Sequence, residues 1–416
     1  MTGGLLQIVA YGAQDIYLTG NPQITFFKVV FRRHTNFAIE SIQQQFRNTN
    51  NLNFGKSTFS TIERKADLIA GAFLEITLPA LDQTQSGATY VNWVNGIGNA
   101  IIKSTTVKIG GNTIDTQSGE WMDINSQLNV QKDKRGGYDE MLGYRYSDIN
   151  IIAEDELTLY IPLNFWFTNP GLALPVTALQ FHDIDIHFDF ANLADMIKSD
   201  VSITTPQTTS STLASFTGCK LYVDYVYLDT DERRRYIQTS HEYLIEQTQT
   251  LNSEQIYANT TSKIIDLFLK HPVKSLYWVI IDDTYTTTGS TGNNNEPLKY
   301  EALNSIENKD TFLTSKLLFN GHDRFSERTA KYFRLTQPYQ FFKCTPVKNI
   351  YCYTFALRPY EYQPSGSCNF SRIDNVKMNM TFDNTTQTNT PSHLKVYGVN
   401  YNVLRIMSGM ASLVFA

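Results

Sequence analysis

The stretch Val107-Lys108-Ile109-Gly110-Gly111-Asn112-Thr113-Ile114 reads as a β-hairpin, with apolar-alternating runs at 105–109 and 113–115 meeting at a Gly-Gly-Asn turn. Glycine and asparagine supply the positive φ that a tight hairpin turn demands. A second stretch, Leu317-Leu318-Phe319-Asn320-Gly321-His322-Asp323-Arg324-Phe325, has the same form, and Gly321 stands 210 positions after Gly111. Outward from each, the apolar strand at 73–78 has a counterpart at 278–281 with a similar offset. Each of these strands leads through a Thr/Gly/Asn-rich loop into its hairpin. Two copies of one β domain, joined near residues 210–220, account for this spacing.

The rest of the chain agrees. At 416 residues it exceeds the size at which one core stops growing, so two domains are expected. Its 24 Tyr and 25 Phe against 4 Trp favour strands, where rings pack on a pleated face. Short alternating or apolar runs recur at 68–78, 157–167, 181–190, 221–228, 276–281 and 351–357, punctuated by Asn, Gly, Pro, Ser and Thr. Two segments suit helices. Residues 2–18 carry Leu5, Leu6, Ile8 and Val9 in a weak amphipathic pattern suited to an arm, and Thr230 is placed to cap a helix running from Asp231 towards Tyr236. Polar tracts at 202–215, 284–296 and 384–390 read as surface loops.

Charge and cysteine content narrow the function. A net charge of −5 argues against nucleic acid as the main partner, since phosphate binding needs a concentrated positive field. The basic clusters Arg32-Arg33-His34, 132–135 and Arg233-Arg234-Arg235 read as solvated faces or as contacts for a partner's carboxylates. Cys219, Cys344, Cys352 and Cys368 form neither a disulfide framework nor a CxxC pair, and are expected as buried free thiols. No basic-then-apolar leader opens the sequence, and no run of about 18 apolar residues suits a bilayer. A protein made in the cytosol is expected.

Catalytic patterns are sparse. In Phe181-His182-Asp183-Ile184-Asp185-Ile186-His187-Phe188-Asp189-Phe190, strand geometry puts Asp183, Asp185, His187 and Asp189 on one face. That set has the chemistry of a divalent-metal site, but four groups along one flat strand do not converge on one ion. A wet face opposite a core face is the better reading. The pair His182 and His187 lacks cupin spacing, and no GxSxG, HExxH, P-loop or GxGxxG is present. Gly96-Ile97-Gly98 reads as loop punctuation. Asp229-Thr230-Asp231-Glu232 lacks the EF-hand spacing and reads as a helix start. Asn259, Asn369, Asn379 and Asn384 lie in sequons. No catalytic, cofactor-binding or metal-ligating residue is assigned, and no enzyme activity is expected.

Several segments carry a family resemblance. Residues 3–37, with Gly20-Asn21-Pro22-Gln23-Ile24-Thr25-Phe26-Phe27 and Arg32-Arg33-His34-Thr35-Asn36-Phe37 within them, closely resemble the start of major capsid proteins of nucleocytoplasmic large DNA viruses. Pro175-Val176-Thr177-Ala178-Leu179-Gln180-Phe181-His182 and Leu228-Asp229-Thr230-Asp231-Glu232-Arg233-Arg234-Arg235 are similar to that family as well. So are Gln363-Pro364-Ser365-Gly366-Ser367-Cys368-Asn369-Phe370-Ser371-Arg372-Ile373-Asp374 and the ending at 401–416. The resemblance implies an all-β double jelly roll of two tandem eight-stranded sandwiches, with a short N-terminal arm and few short helices. The expected division is an arm at 1–25, a first roll at 26–215 and a second at 216–416.

As implied function, the chain is a structural major capsid protein of a large icosahedral dsDNA virus. It forms homotrimeric pseudo-hexagonal capsomers, located in the virion shell and assembled in the host cytoplasm. Its implied partners are itself and neighbouring capsomers; the mild apolar character of residues 1–25 suits inward contacts with minor capsid proteins or an internal membrane, and the charge leaves no direct nucleic-acid contact expected. The loops at 202–215 and 284–296 are modest for a host-binding tower. Two alternatives stay open: a minor or paralogous capsid component of the same fold, and a carbohydrate-binding β-sandwich. The near-absence of aromatic residues from those two tracts speaks against the second.

Overall fold

The computed structural model describes residues 2–49, 52–144, 155–285, 288–289, 292–300, 310–382 and 391–415. The chain divides into two units, Met1–Asn36 and Phe37–Ala416. The first holds two short helices, α1 (Gly3–Val9) and α2 (Ile16–Thr19), as the amphipathic pattern suggested, followed by extended chain with no buried side chain.

The second unit contains two sandwiches with one topology. The first is built from β1 (Phe37–Gln44), β2 (Ser57–Thr61), β3 (Leu68–Leu78), β4 (Ile102–Ile109), β5 (Asn112–Gln117), β6 (Leu157–Pro162), β7 (Ile184–Phe190) and β8 (Gly218–Leu228). The second follows with β9 (His241–Thr250), β10 (Ser262–Asp266), β11 (Pro272–Asp282), β12 (Thr314–Phe319), β13 (His322–Asp323), β14 (Tyr351–Thr354), β15 (Val376–Thr381) and β16 (Ser392–Met407). One sheet of the first sandwich runs β1-β8-β3-β6 and its partner β2-β7-β4-β5. In the second the orders are β9-β16-β11-β14 and β10-β15-β12-β13. Adding eight to each label of the first pair gives the second. This is the double jelly roll that the resemblance implied, and its like halves are the two β domains that the repeat predicted.

The two hairpins that revealed the repeat also match in detail. Gly110 and Gly111 have φ of 57° and 81°, and Asn320 and Gly321 have 49° and 84°. Two consecutive left-handed residues make the mirror-image turn whose twist fits flanking strands. The alternation read at 181–190 holds as well: Ile184, Ile186, Phe188 and Phe190 are buried while Asp185, His187 and Asp189 are half-buried.

The structure corrects some boundaries. β8 falls beyond the expected break at 215/216, yet it pairs with β1 and β3 and so closes the first sandwich. Its alternating apolar side chains suit either sandwich; only backbone pairing assigns it. The division between rolls therefore comes after Leu228, and residues 26–36 belong to the N-terminal unit. A helix, α5 (Thr230–Gln238), links the rolls, and its cap is the Asp229 carboxylate bonded to the Thr230 N–H, one residue before the expected cap. The tract at 284–296 is not wholly loop. Thr288–Gly289 and Gly292–Asn294 pair with each other, and the latter pairs with Ile197–Ser199 of the first roll. Backbone ladders form whatever the side chains are. The tract at 384–390, with the Asn384 sequon, lies outside the described residues.

Two helices between β5 and β6 went unread in sequence, α3 (Gly119–Asn129) and α4 (Lys132–Met141). Ser118 caps α3 by accepting a bond from the Trp121 N–H at 3.2 Å. Helix α3 packs against the second roll.

Candidate assembly surfaces

One core centres on Leu74, Ile76, Trp93 and Phe188 of the first roll and takes in Ile245, Leu404, Ile406 and Ala411 of the second; another, within the second roll, centres on Trp278, Phe333, Tyr351 and Met378. A third cluster lies between them. Trp121, Ile124 and Leu128, spaced as one ridge of α3, pack on Tyr277, Val279, Tyr397 and Val399, the outer face of the second roll's β9-β16-β11-β14 sheet. The Trp121 ring lies 5.0 Å from Tyr277 and 5.7 Å from Tyr397. One turn position earlier, Glu120 bonds both the Lys395 ammonium and the Tyr397 hydroxyl. Strand β11 is thereby buried on both faces.

The opposite side of α3 carries a buried charge. Asp123 is fully buried, accepts a hydrogen bond from the Tyr144 hydroxyl, and meets the Lys348 ammonium of the second roll at 2.7 Å. Burial, then the charge of Asp123, raises the Tyr144 phenol well above its ordinary value, so it stays a donor. The Lys348 ammonium also sits over the rings of Tyr144 and Tyr300.

A second polar joint is pH-sensitive. Asp115 of β5 accepts a bond from the Thr248 N–H of β9 at 2.9 Å and another from the Gln117 amide. Burial nevertheless pushes its carboxyl up to about 6. An acid raised on folding stabilises most below its unfolded value, and that contribution is lost as pH rises through about 6. The span is about 2 units, hence roughly 3 kcal/mol. The Asp115→Asn protein, which lacks this ionisation, should gain that much stability relative to wild type between pH 4 and pH 7, measured by urea unfolding. Parallel pH profiles for the two would refute the assignment.

The metal-like strand gathers no site. Asp185 accepts a bond from the Thr61 hydroxyl at 2.7 Å, and His187 stacks on Phe59 at 5.0 Å. Burial opposes ionisation of Asp189, but bonds from Ser104 and Ser57 outweigh it and hold its carboxyl below the usual range. Asp183 lies before the strand and pairs with Arg64 at 2.9 Å. Among the described residues no three metal-ligating side chains converge.

One residue of each basic cluster in the rolls pairs with a carboxylate of the same chain. Arg135 pairs with Asp139 at 2.9 Å, and Arg233 with Asp67 at 2.8 Å. Of the four cysteines, all free, only Cys352 is buried; Cys219, Cys344 and Cys368 are half-buried, which corrects the expectation for those three. Burial still raises the Cys219 thiol to about 12, so it is a poor nucleophile. Of the sequon asparagines, Asn259 is exposed at positive φ, and Asn369 accepts the Ser371 N–H.

Exposed apolar side chains remain. In the N-terminal unit they include Tyr17, Leu18, Phe26, Phe27, Val30 and Phe31, each more than four-fifths exposed. On the rolls they include Phe268, Tyr339 and Leu357. Such surface marks interaction faces, and nothing in the sequence pattern distinguished these positions from core ones.

Comparison with known proteins places this architecture. Residues 25–229 match the family described as "Major capsid protein N-terminus", and residues 232–412 match "Large eukaryotic DNA virus major capsid protein". The major capsid protein of Pyramimonas orientalis virus is 41% identical over 445 residues, and that of Phaeocystis pouchetii virus 39% over 523, with all of both chains covered in each case. A quasi-atomic structure of the PBCV-1 virus capsid superposes with a TM-score of 0.77 at 31% identity, covering 94% of this chain and 100% of that one. The Faustovirus major capsid protein, 14% identical, shares the fold with a TM-score of 0.76, over 95% of this chain and 94% of that one.

Proposed function

Since this chain belongs to the large eukaryotic DNA virus major capsid protein family, we propose that it builds its shell as a homotrimer whose six sandwiches form one pseudo-hexagonal capsomer. It is a structural coat protein, and its chemistry is burial. The observation that carries the trimer is the repeated topology: two like rolls, fixed to each other through α3, present three chains as six similar blocks. Rolls 37–228 and 241–413 are the two blocks we propose. A ring that closes on itself leaves no unsatisfied face at its ends. The subunit interface should bury at least about 2,000 Å² per pair, as obligate oligomers do. Contacts between capsomers are smaller and more polar, so that errors dissociate while many weak contacts hold the finished shell.

We assign residues 1–25 to inward contacts with minor capsid proteins or an internal membrane, on the strength of the exposed Leu5, Leu6, Ile8, Val9, Tyr17 and Leu18. Deleting them should change the minor-protein content of purified particles; unchanged content would sink the assignment. A net charge of −5 suits a shell that encloses a genome without gripping it, assembled in the host cytoplasm without a catalytic role. Light scattering on the purified protein tests the trimer. Three chains of 47.4 kDa give 142.2 kDa, and that mass should persist on dilution. A stable species of 47.4 kDa would refute it.

A further inference from the structure

The internal repeat that built the fold also repeats a docking element, used in one roll and vacant in the other. In the first roll α3 follows the β4-β5 hairpin. In the second roll a π-turn, Tyr332–Thr336, runs directly into helix α6 (Gln337–Phe341) after the equivalent β12-β13 hairpin. Placing the helices 211 residues apart, close to the 210 of the hairpins, sets Met122 against Phe333. Each of these is buried in its own roll's core, which fixes the register. The docking ridge Trp121, Ile124 and Leu128 then falls on Tyr332, Leu335 and Tyr339. The first three are 5%, 0% and 0% exposed, whereas Leu335 is 41% and Tyr339 82% exposed, and Tyr332 is half-buried against its own roll's core.

The receiving sheet repeats as well. β3 and β11 are both eleven residues long and begin 204 apart, which sets Phe73 on Tyr277. Across the ladder, Phe73 pairs with Tyr222 as Tyr277 pairs with Tyr397. The Tyr277–Tyr397 pair lies under Trp121. The Phe73 and Tyr222 rings stack at 5.0 Å on the equivalent outer face, only half-buried, beside the exposed Tyr160.

The charges of the buried pair are not repeated in the exposed one. Within the chain the helix gives the acid Glu120 and the sheet the base Lys395. In the exposed pair the helix position equivalent to Glu120 is Lys331, and the sheet position equivalent to Lys395 is Lys220, whose ammonium pairs with Glu75 at 2.9 Å.

We propose that the Leu335–Tyr339 ridge of one copy docks on the Phe73–Tyr222 face of a second copy, as Trp121 docks within the chain. The contact is head-to-tail, so it propagates from roll to roll around the ring and closes at three chains. The sheet face is more polar than its buried counterpart, with Glu75 and Thr77 where the second roll has Val279 and Ile281. That composition suits a surface that must be soluble before assembly.

This assignment rests on the trimer reading, and the test separates the two. The Leu335→Glu/Tyr339→Glu protein, altered only at exposed positions, should keep wild-type circular dichroism while its mass falls threefold, from 142.2 to 47.4 kDa. Tyr160→Glu/Tyr222→Glu should do the same from the sheet side. Phe268→Glu, at a site 82% exposed outside this face, should stay at 142.2 kDa. If wild type is 142.2 kDa and the ridge variant is unchanged, the docking face is wrong while the trimer stands. If wild type itself is 47.4 kDa, the trimer reading fails and this one with it.

Discussion

Replacing Trp121 by alanine should lower the unfolding free energy by about 3–5 kcal/mol, the range for deleting a buried tryptophan. The side chain is 5% exposed and bridges the Tyr277 and Tyr397 rings, so its loss opens a cavity between two rigid sheets and helix walls that collapse poorly. Because the cavity lies between the rolls, their unfolding should also lose cooperativity, seen as a broadened or two-step urea transition. A loss under about 1 kcal/mol with a single sharp transition would mean that α3 merely rests on the second roll.

The second large effect comes from charge. Lys348→Ala removes the cation from a carboxylate with no solvent exposure, and stranding a buried charge typically costs about 3–5 kcal/mol. The Tyr144 hydroxyl still donates to Asp123, yet one neutral donor does not replace an ammonium at 2.7 Å. Removing both charges in Asp123→Leu/Lys348→Met should cost clearly less than Lys348→Ala alone, since no ion is then stranded. Equal losses in urea unfolding for the single and double variants would show that packing, not charge, holds this joint.

These two sites also mark where the sequence could not be read. Helix α3 is enclosed on every side: Met122 enters the first core, Trp121, Ile124 and Leu128 face the second roll, and Asp123 is buried by virtue of Lys348. A helix without a wet face lacks the apolar stripe by which periodicity is recognised. Its neighbour α4 contains Gly136 and Gly137, poor helix formers that hide it from propensity. By contrast β7 was legible because one face is core and the other meets water, and that alternation is written into 184–190. The hairpin turns were legible because left-handed backbone at Gly110, Gly111 and Gly321 calls for glycine.

By itself, then, the sequence determined what local chemistry dictates: the strands with one wet face, the turns, and the 210-residue repeat that makes the protein two rolls. It also carried the family resemblance, because the matching segments are continuous stretches. The tertiary structure alone decided which strands pair and which ridge is used. Phe37 lies opposite Leu228 across the β1-β8 ladder, and Lys348 reaches Asp123 from the other roll. An apolar side chain records that it must leave water, but not which of two similar surfaces covers it. Leu128 and Tyr339 occupy equivalent places in the repeat, and only the folded chain buries one and leaves the other exposed.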